Sequence, residues 1–302
     1  MPDHEDDVRA PERTRVPQTV RTVRKWLLGR EIVHMMEATG KKQADVAKIL
    51  EVSGGKVSNL VKGSGAIAAG DLERLCNQLG YTDPGYQEAL QDLRRHAHKR
   101  GSWSTGYKRA YSEDFRLLVD LERSATQLRV AEAEVVHGLL QCETYVRAQY
   151  AESPEMQGVS LEQRIAARLA RQEILTRADL VMAQFVLSES CVRRVVGDGA
   201  VMQEQIDHLI ELSQRPNVFL QVLPFDRPAP AYRPFALIRV PSPGVFGPLE
   251  ALYVDIAGEV RYLDDKGPLA AHEALWARVT NNALRFDETR DFLRQVRKDF
   301  DT

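Results

Sequence analysis

The run "EVSGGK" at residues 51–56 sits between two short apolar-faced segments and admits few arrangements. Upstream, "KKQADVAKIL" puts Ala44, Val46, Ala47, Ile49 and Leu50 on the narrow apolar face of a short helix. Downstream, "KVSNLVKG" repeats the pattern with Val57, Leu60 and Val61 and closes at Gly63. The break between them has room only for a tight turn, with Val52 plugging the space between the helices and Ser53 capping the second one. Ala47 is small enough to let the two helices approach closely. Before this pair, Trp26, Leu27, Ile32, Val33, Met35 and Met36 follow helical spacing up to Gly40. After it, Leu72, Leu75, Cys76 and Leu79 mark a fourth helix ending at Gly80. A fifth begins at Pro84 with Tyr86, Leu90 and Leu93.

Charge is uneven in the same region. From Arg13 to Lys62 there are eleven Lys/Arg and four Asp/Glu, an excess of +7 in a chain whose net charge is −2. A basic segment on an otherwise acidic chain points to a polyanion as the partner of that segment alone. The helix order and the residues Gln43, Ala47, Val52, Ser53, Val57, Leu60 and Gly63 resemble the XRE-type helix-turn-helix of phage-repressor-like regulators over about residues 23–80. That resemblance implies a recognition helix in the major groove of an operator and a second helix whose N-terminus grips a phosphate. The residues it places on DNA are Lys41, Lys42, Gln43, Ser53, Gly54, Gly55, Lys56, Ser58, Asn59 and Lys62, with Ser58 toward the side. Asn59 is suited to adenine and Lys56 to guanine. Two departures stand out. Gly54 and Gly55 occupy positions where relatives often carry base-reading side chains, so phosphate contacts and DNA shape gain weight. Met36 and Val61 stand where many relatives bury an Arg–Glu pair.

The remaining two hundred residues read as an α+β unit. Helical patterns occupy 114–125, the stretch through Tyr145 and Tyr150, 161–175 and "GAVMQEQIDHLIELSQ". Strand patterns occupy "TQLRVAEAEVV", "LVMAQFVLSES", "NVFLQVLPF", "PFALIRV", "LEALYVDI" and "EVRYLDD", and two helices close the chain. In the helix at 161–175, Ile165, Leu169 and Leu175 are expected inside and the arginines outside. Arg168, Arg171 and Gln172 then form a surface for an acidic partner, or a solvated face. The runs at 138–141, 164–175 and 202–225 resemble the C-terminal domain of the WhiJ-like regulators of actinobacterial development. The resemblance implies a small partner protein encoded nearby, and it leaves open an antitoxin-like interaction module with autoregulatory DNA binding. His137 stands where relatives usually carry proline.

Little else in the chain carries chemistry. The acidic, proline-bearing residues 1–18 are expected to be a disordered tail and not a signal peptide. Residues 19–100 would form the DNA-binding domain, and 101–302 the partner-binding and dimerisation domain. Cys76, Cys142 and Cys191 lack disulfide or zinc spacing, so no metal or cofactor is expected and the cytoplasm is the expected compartment. His96 and His98 lack further ligands. Ser188, Ser190, His208 and His272 lack a nucleophile elbow, and Asp264 with Asp265 reads as a solvated turn, so the chain is not expected to be an enzyme.

Overall fold

The computed structural model describes residues 21–97, 107–152, 158–180, 182–256 and 259–301. The expected tail at 1–18 and His98 lie outside these residues.

Five helices form the head: α1 (Val23–Ala38), α2 (Gln43–Leu50), α3 (Gly54–Val61), α4 (Ala69–Gln78) and α5 (Pro84–Arg95). Their ends follow from local chemistry. Thr22 Oγ1 accepts from the Lys25 amide, Ser53 Oγ from the Lys56 amide and Asp83 Oδ1 from the Tyr86 amide. At the end of α2, Glu51 adopts a left-handed φ of 54°, and the Val52 amide returns to Ala47 O at 3.0 Å. This is the tight turn read at residues 51–53. Inside the head, a Cβ on Gly29 would lie 2.7 Å from Val61 O and 2.8 Å from Leu60 O. Glycine at this position is what allows α1 and α3 to touch. Val46, Val57, Leu72, Leu75 and Leu90 are almost fully enclosed between the helices.

The body is built on a six-stranded mixed sheet ordered β3-β2-β1-β4-β5-β6. Before it comes α6 (Glu113–Ser124). The first three strands, β1 (Gln127–Glu132), β2 (Met182–Ser188) and β3 (Val218–Leu223), are parallel. Helices supply the crossovers this requires: α7 (Glu143–Ala151) and α8 (Leu161–Gln172) before β2, α9 (Glu189–Arg193) and α10 (Gly199–Leu212) before β3. Short loops then make β4 (Phe235–Val240), β5 (Leu249–Ile256) and β6 (Glu259–Leu263) an antiparallel meander on the free side of β1. The chain ends with α11 (Lys266–Asn282) and α12 (Phe286–Lys298).

Leu128 and Val130 of β1 face one side of the sheet, in an apolar core shared with α6, α10, α12 and the head. Ala131, Phe235, Leu237 and Leu252 face the other side, against Trp276 and Val279 of α11. The apolar core therefore runs without a break from head to body.

The structure corrects two sequence expectations. Leu169 is only half-buried, whereas Arg171 on the same helix is 4% exposed. Asp264 does not lie in a solvated turn: it accepts from Trp26 Nε1 at 2.8 Å, and Arg30 Nε lies 3.8 Å from the same oxygen.

Candidate nucleic-acid interface

Two amphipathic helices and the turn between them shape the surface. Val57 and Leu60 bury one face of α3 in the head, which turns the opposite face outward. That outer face carries Gly54, Gly55, Lys56, Asn59 and Lys62, all exposed, with exposed Ser53 ahead of it and half-buried Ser58 at its side. A Cβ at Gly54 would meet nothing within 4 Å, and at Gly55 only Ser53 Oγ at 3.9 Å. These glycines therefore leave open backbone at the start of the helix and are not needed for packing. The Asn59 carbonyl accepts from the Ser64 and Gly65 amides, which secures the end of α3.

At the start of α2, Lys41, Lys42 and Gln43 are exposed. Asp45 accepts from the Lys42 amide at 2.9 Å. That bond holds the Asp45 carboxyl below its ordinary range, with help from the charges of Lys41, Lys48 and Lys42.

Lysine and arginine behave differently on this head. Arg74 pairs with Asp71 and Glu51, and Arg95 with Glu88. Among the described residues, Lys41, Lys42, Lys48, Lys56 and Lys62 form no salt bridge to a carboxylate. The head therefore presents free cations around an exposed helix with an open N-terminus, an arrangement suited to phosphate oxygens.

Residues 27–89 match the family described as Helix-turn-helix domain, and residues 115–295, more than half of the chain, match Domain of unknown function (DUF5753). The chain belongs to the DUF5753 family. No curated protein and no solved structure matches it. In this DUF5753 protein the helix-turn-helix match supports DNA binding and transcription regulation, and it covers α2 and α3 completely.

The DUF5753 region does not offer the cationic surface expected of its α8. Arg171 Nε and Nη2 each donate to Glu122 at 2.6 Å, out of contact with water. Burial would lower the guanidinium pKa, but the charge and hydrogen bonds of Glu122 outweigh it and the pKa rises. Arg168 donates to Gln141 Oε1 and Tyr150 Oη, and Gln172 to the carbonyls of Gly138 and Gln141. Gln205 closes the set, accepting from the Cys142 amide and donating to Leu140 O. Arg168 and Gln172 thus hold the "GLLQC" turn in place while Arg171 is spent on Glu122, and a Cβ on Gly138 would overlap Arg168. His137, in the same turn, is buried against Phe185; burial, then Arg171 and Arg168, drive its pKa well below the ordinary value.

Among the described residues no cluster of three or more His, Cys, Asp or Glu is suited to a metal, and no helix is long and apolar enough to cross a membrane. His96 is engaged by Asp92 of its own helix.

Glu31 escaped the sequence reading. It lies on the row Leu27–Glu31–Met35 and is 0% exposed. An acid in register with buried apolar residues was the available signal. Gly29, which lets α1 and α3 meet, lies two residues away in the same run.

Proposed function

We propose that the protein is a transcriptional repressor of operator DNA, with α3 in the major groove and the N-terminus of α2 on a phosphate. The observation that carries this reading is the exposed outer face of α3, with Lys56 and Asn59 on it and Lys62 at its end, together with exposed Lys41 and Lys42 at the start of α2. Lys41, Lys42, Lys62 and the open amides near Gln43 and Gly54 are assigned to the backbone, and Lys56 and Asn59 to base edges. Ser53 and Ser58 flank that contact, and Gly55 brings the main chain close to the groove.

The protein acts as a homodimer, because one head reads only a half-site and two heads about 34 Å apart reach adjacent ones. Residues 19–100 serve as the reading unit. Residues 101–302 dimerise and receive a small partner protein or ligand, as in the WhiJ-like regulators of actinobacterial development that they resemble. The role is non-enzymatic and cytoplasmic. A partner shifts the DNA equilibrium only by its differential affinity for two arrangements of the heads.

Selection of bound duplexes from a random pool tests this reading, followed by titrations over a range of salt. With three lysines per head, Lys41, Lys42 and Lys62, on phosphates, the slope of log K against log salt is about −2.7 per head. Lys41→Ala should reduce its magnitude by about 0.9 and weaken all sequences alike. Asn59→Ala should leave the slope unchanged and relax preference at one base pair by about 1–3 kcal/mol. A Lys56→Ala/Asn59→Ala double variant that selects the same duplexes with the same affinity would remove α3 from the interface.

A further inference from the structure

The Glu31 carboxylate accepts from four donors. Tyr86 Oη, on α5, donates at 2.9 Å. The other three come from the body: the Val245 amide at 3.1 Å, the Phe246 amide at 3.2 Å and Ser242 Oγ at 3.3 Å. They belong to the loop at 241–247 between β4 and β5. A Cβ on Gly244 would overlap the Glu31 carboxyl group. Gly244 has no positive φ, so close approach and not backbone conformation calls for glycine there. Neighbouring amides aimed at one point make a concavity for an anion, and here the anion is a side chain of the head.

A second contact lies beside the first. Asp264, after β6, accepts from Trp26 Nε1 and sits by Arg30. The Arg30 guanidinium lies 4.4 Å from the centre of the Phe246 ring, and the His34 ring lies 5.2 Å from it. The head's members of both contacts, Trp26, Arg30, Glu31, His34 and Tyr86, all belong to α1 or α5. Among the described residues, 53–62 make no hydrogen bond or ion pair to the body.

We propose that Glu31 is a positioning residue: its seat in the 241–247 loop sets the angle at which the body holds the head, with α3 facing outward. The link to DNA rests on the reading of α3 given above, whereas the docking stands without it. Apolar contact between head and body is non-directional and tolerates many angles. A carboxylate held by fixed amides is directional and tolerates few. On leaving its seat the carboxylate regains water, so the bond contributes orientation more than adhesion. A signal received by the body reaches the head through this loop.

Nuclear magnetic resonance of the 15N-labelled full chain tests the proposal, using relaxation of head and body amides and hydrogen exchange at Val245 and Phe246. The wild type should show one correlation time and slow exchange at both amides. Gly244→Ala leaves every head residue in place. It should shorten the correlation time of the head amides and speed exchange at Val245 and Phe246 by about tenfold or more. Glu31→Gln, which keeps one acceptor oxygen, should fall between Gly244→Ala and the wild type. A common correlation time in both Gly244→Ala and Glu31→Ala, or unprotected amides in the wild type, would overturn it. If Glu31→Ala fails to fold, Gly244→Ala decides alone. Added duplex DNA separates the two claims. A docked wild type that ignores DNA discards the reading of α3 only, and unchanged tumbling in variants that still bind DNA discards only the role of Glu31.

Discussion

Removing one member of the buried Glu122–Arg171 pair should cost far more than removing both. The two side chains are 1% and 3% exposed, and both nitrogen–oxygen distances are 2.6 Å. Phe115 covers the guanidinium, 4.9 Å from its ring centre, so no water stands ready to replace a lost partner. Arg171→Met leaves Glu122 as an uncompensated buried charge, and Glu122→Leu does the same to Arg171. Each should cost about 3–5 kcal/mol, a large share of the roughly 5–15 kcal/mol that holds a domain together. The double variant exchanges the pair for apolar side chains of similar volume and should lie within about 1 kcal/mol of the wild type, or above it. Urea unfolding followed by circular dichroism measures the full cycle, whose signature is strong non-additivity. Single variants that each cost less than about 1 kcal/mol, the value of an exposed pair, would refute the burial argument. They would also return Arg171 to the protein surface, where an acidic partner could reach it.

Two more outcomes follow from contacts elsewhere. Gly29→Ala should push α1 from α3 and cost about 1–3 kcal/mol despite the better helix propensity of alanine, read as a lowered Tm. Glu132, half-buried at the end of β1, has its carboxyl pushed up to about 8 by desolvation, against the opposing charges of Arg171 and Arg168. The folded chain then keeps, between about pH 4.5 and 8, a proton that the unfolded chain has released, so stability falls as pH rises through that window. Glu132→Gln should flatten this slope, matching the wild type at pH 4 and exceeding it at pH 9; parallel stability curves would contradict the assignment.

The head was largely legible because its information is local. Periodicity identified five helices, Ser53 announced a cap, and "EVSGG" could only be a turn. The six strands were legible for the same reason, being short apolar runs between turn residues. Their order was not, because β1 pairs with β4 across more than a hundred residues and no local pattern encodes that choice. Arg171 shows a different failure. It lies four residues before Leu175, a residue expected inside, so spacing already placed both on one face. Position outranks charge type here, because a guanidinium can be buried when a carboxylate meets it. Asp264 and Glu31 failed for a third reason. Their partners, Trp26 and the 241–247 loop, lie more than two hundred residues away in the chain, and spacing reports a face but not its occupant.

Cleavage of DNA from a reagent tethered to α3 would place that helix most directly. Cys76, Cys142 and Cys191 are buried, and burial pushes the Cys76 thiol up to about 11 and raises that of Cys191, so an engineered surface cysteine should take a label alone. Gly55→Cys has open space for its side chain, and Gly267→Cys, at the start of α11 in the body, is an equally open control. With an iron chelate attached, the residue 55 variant should cut a bound duplex within a few base pairs, and the residue 267 variant should not. Cutting from residue 267 but not from residue 55, or equal cutting from both, would contradict insertion of α3 into DNA.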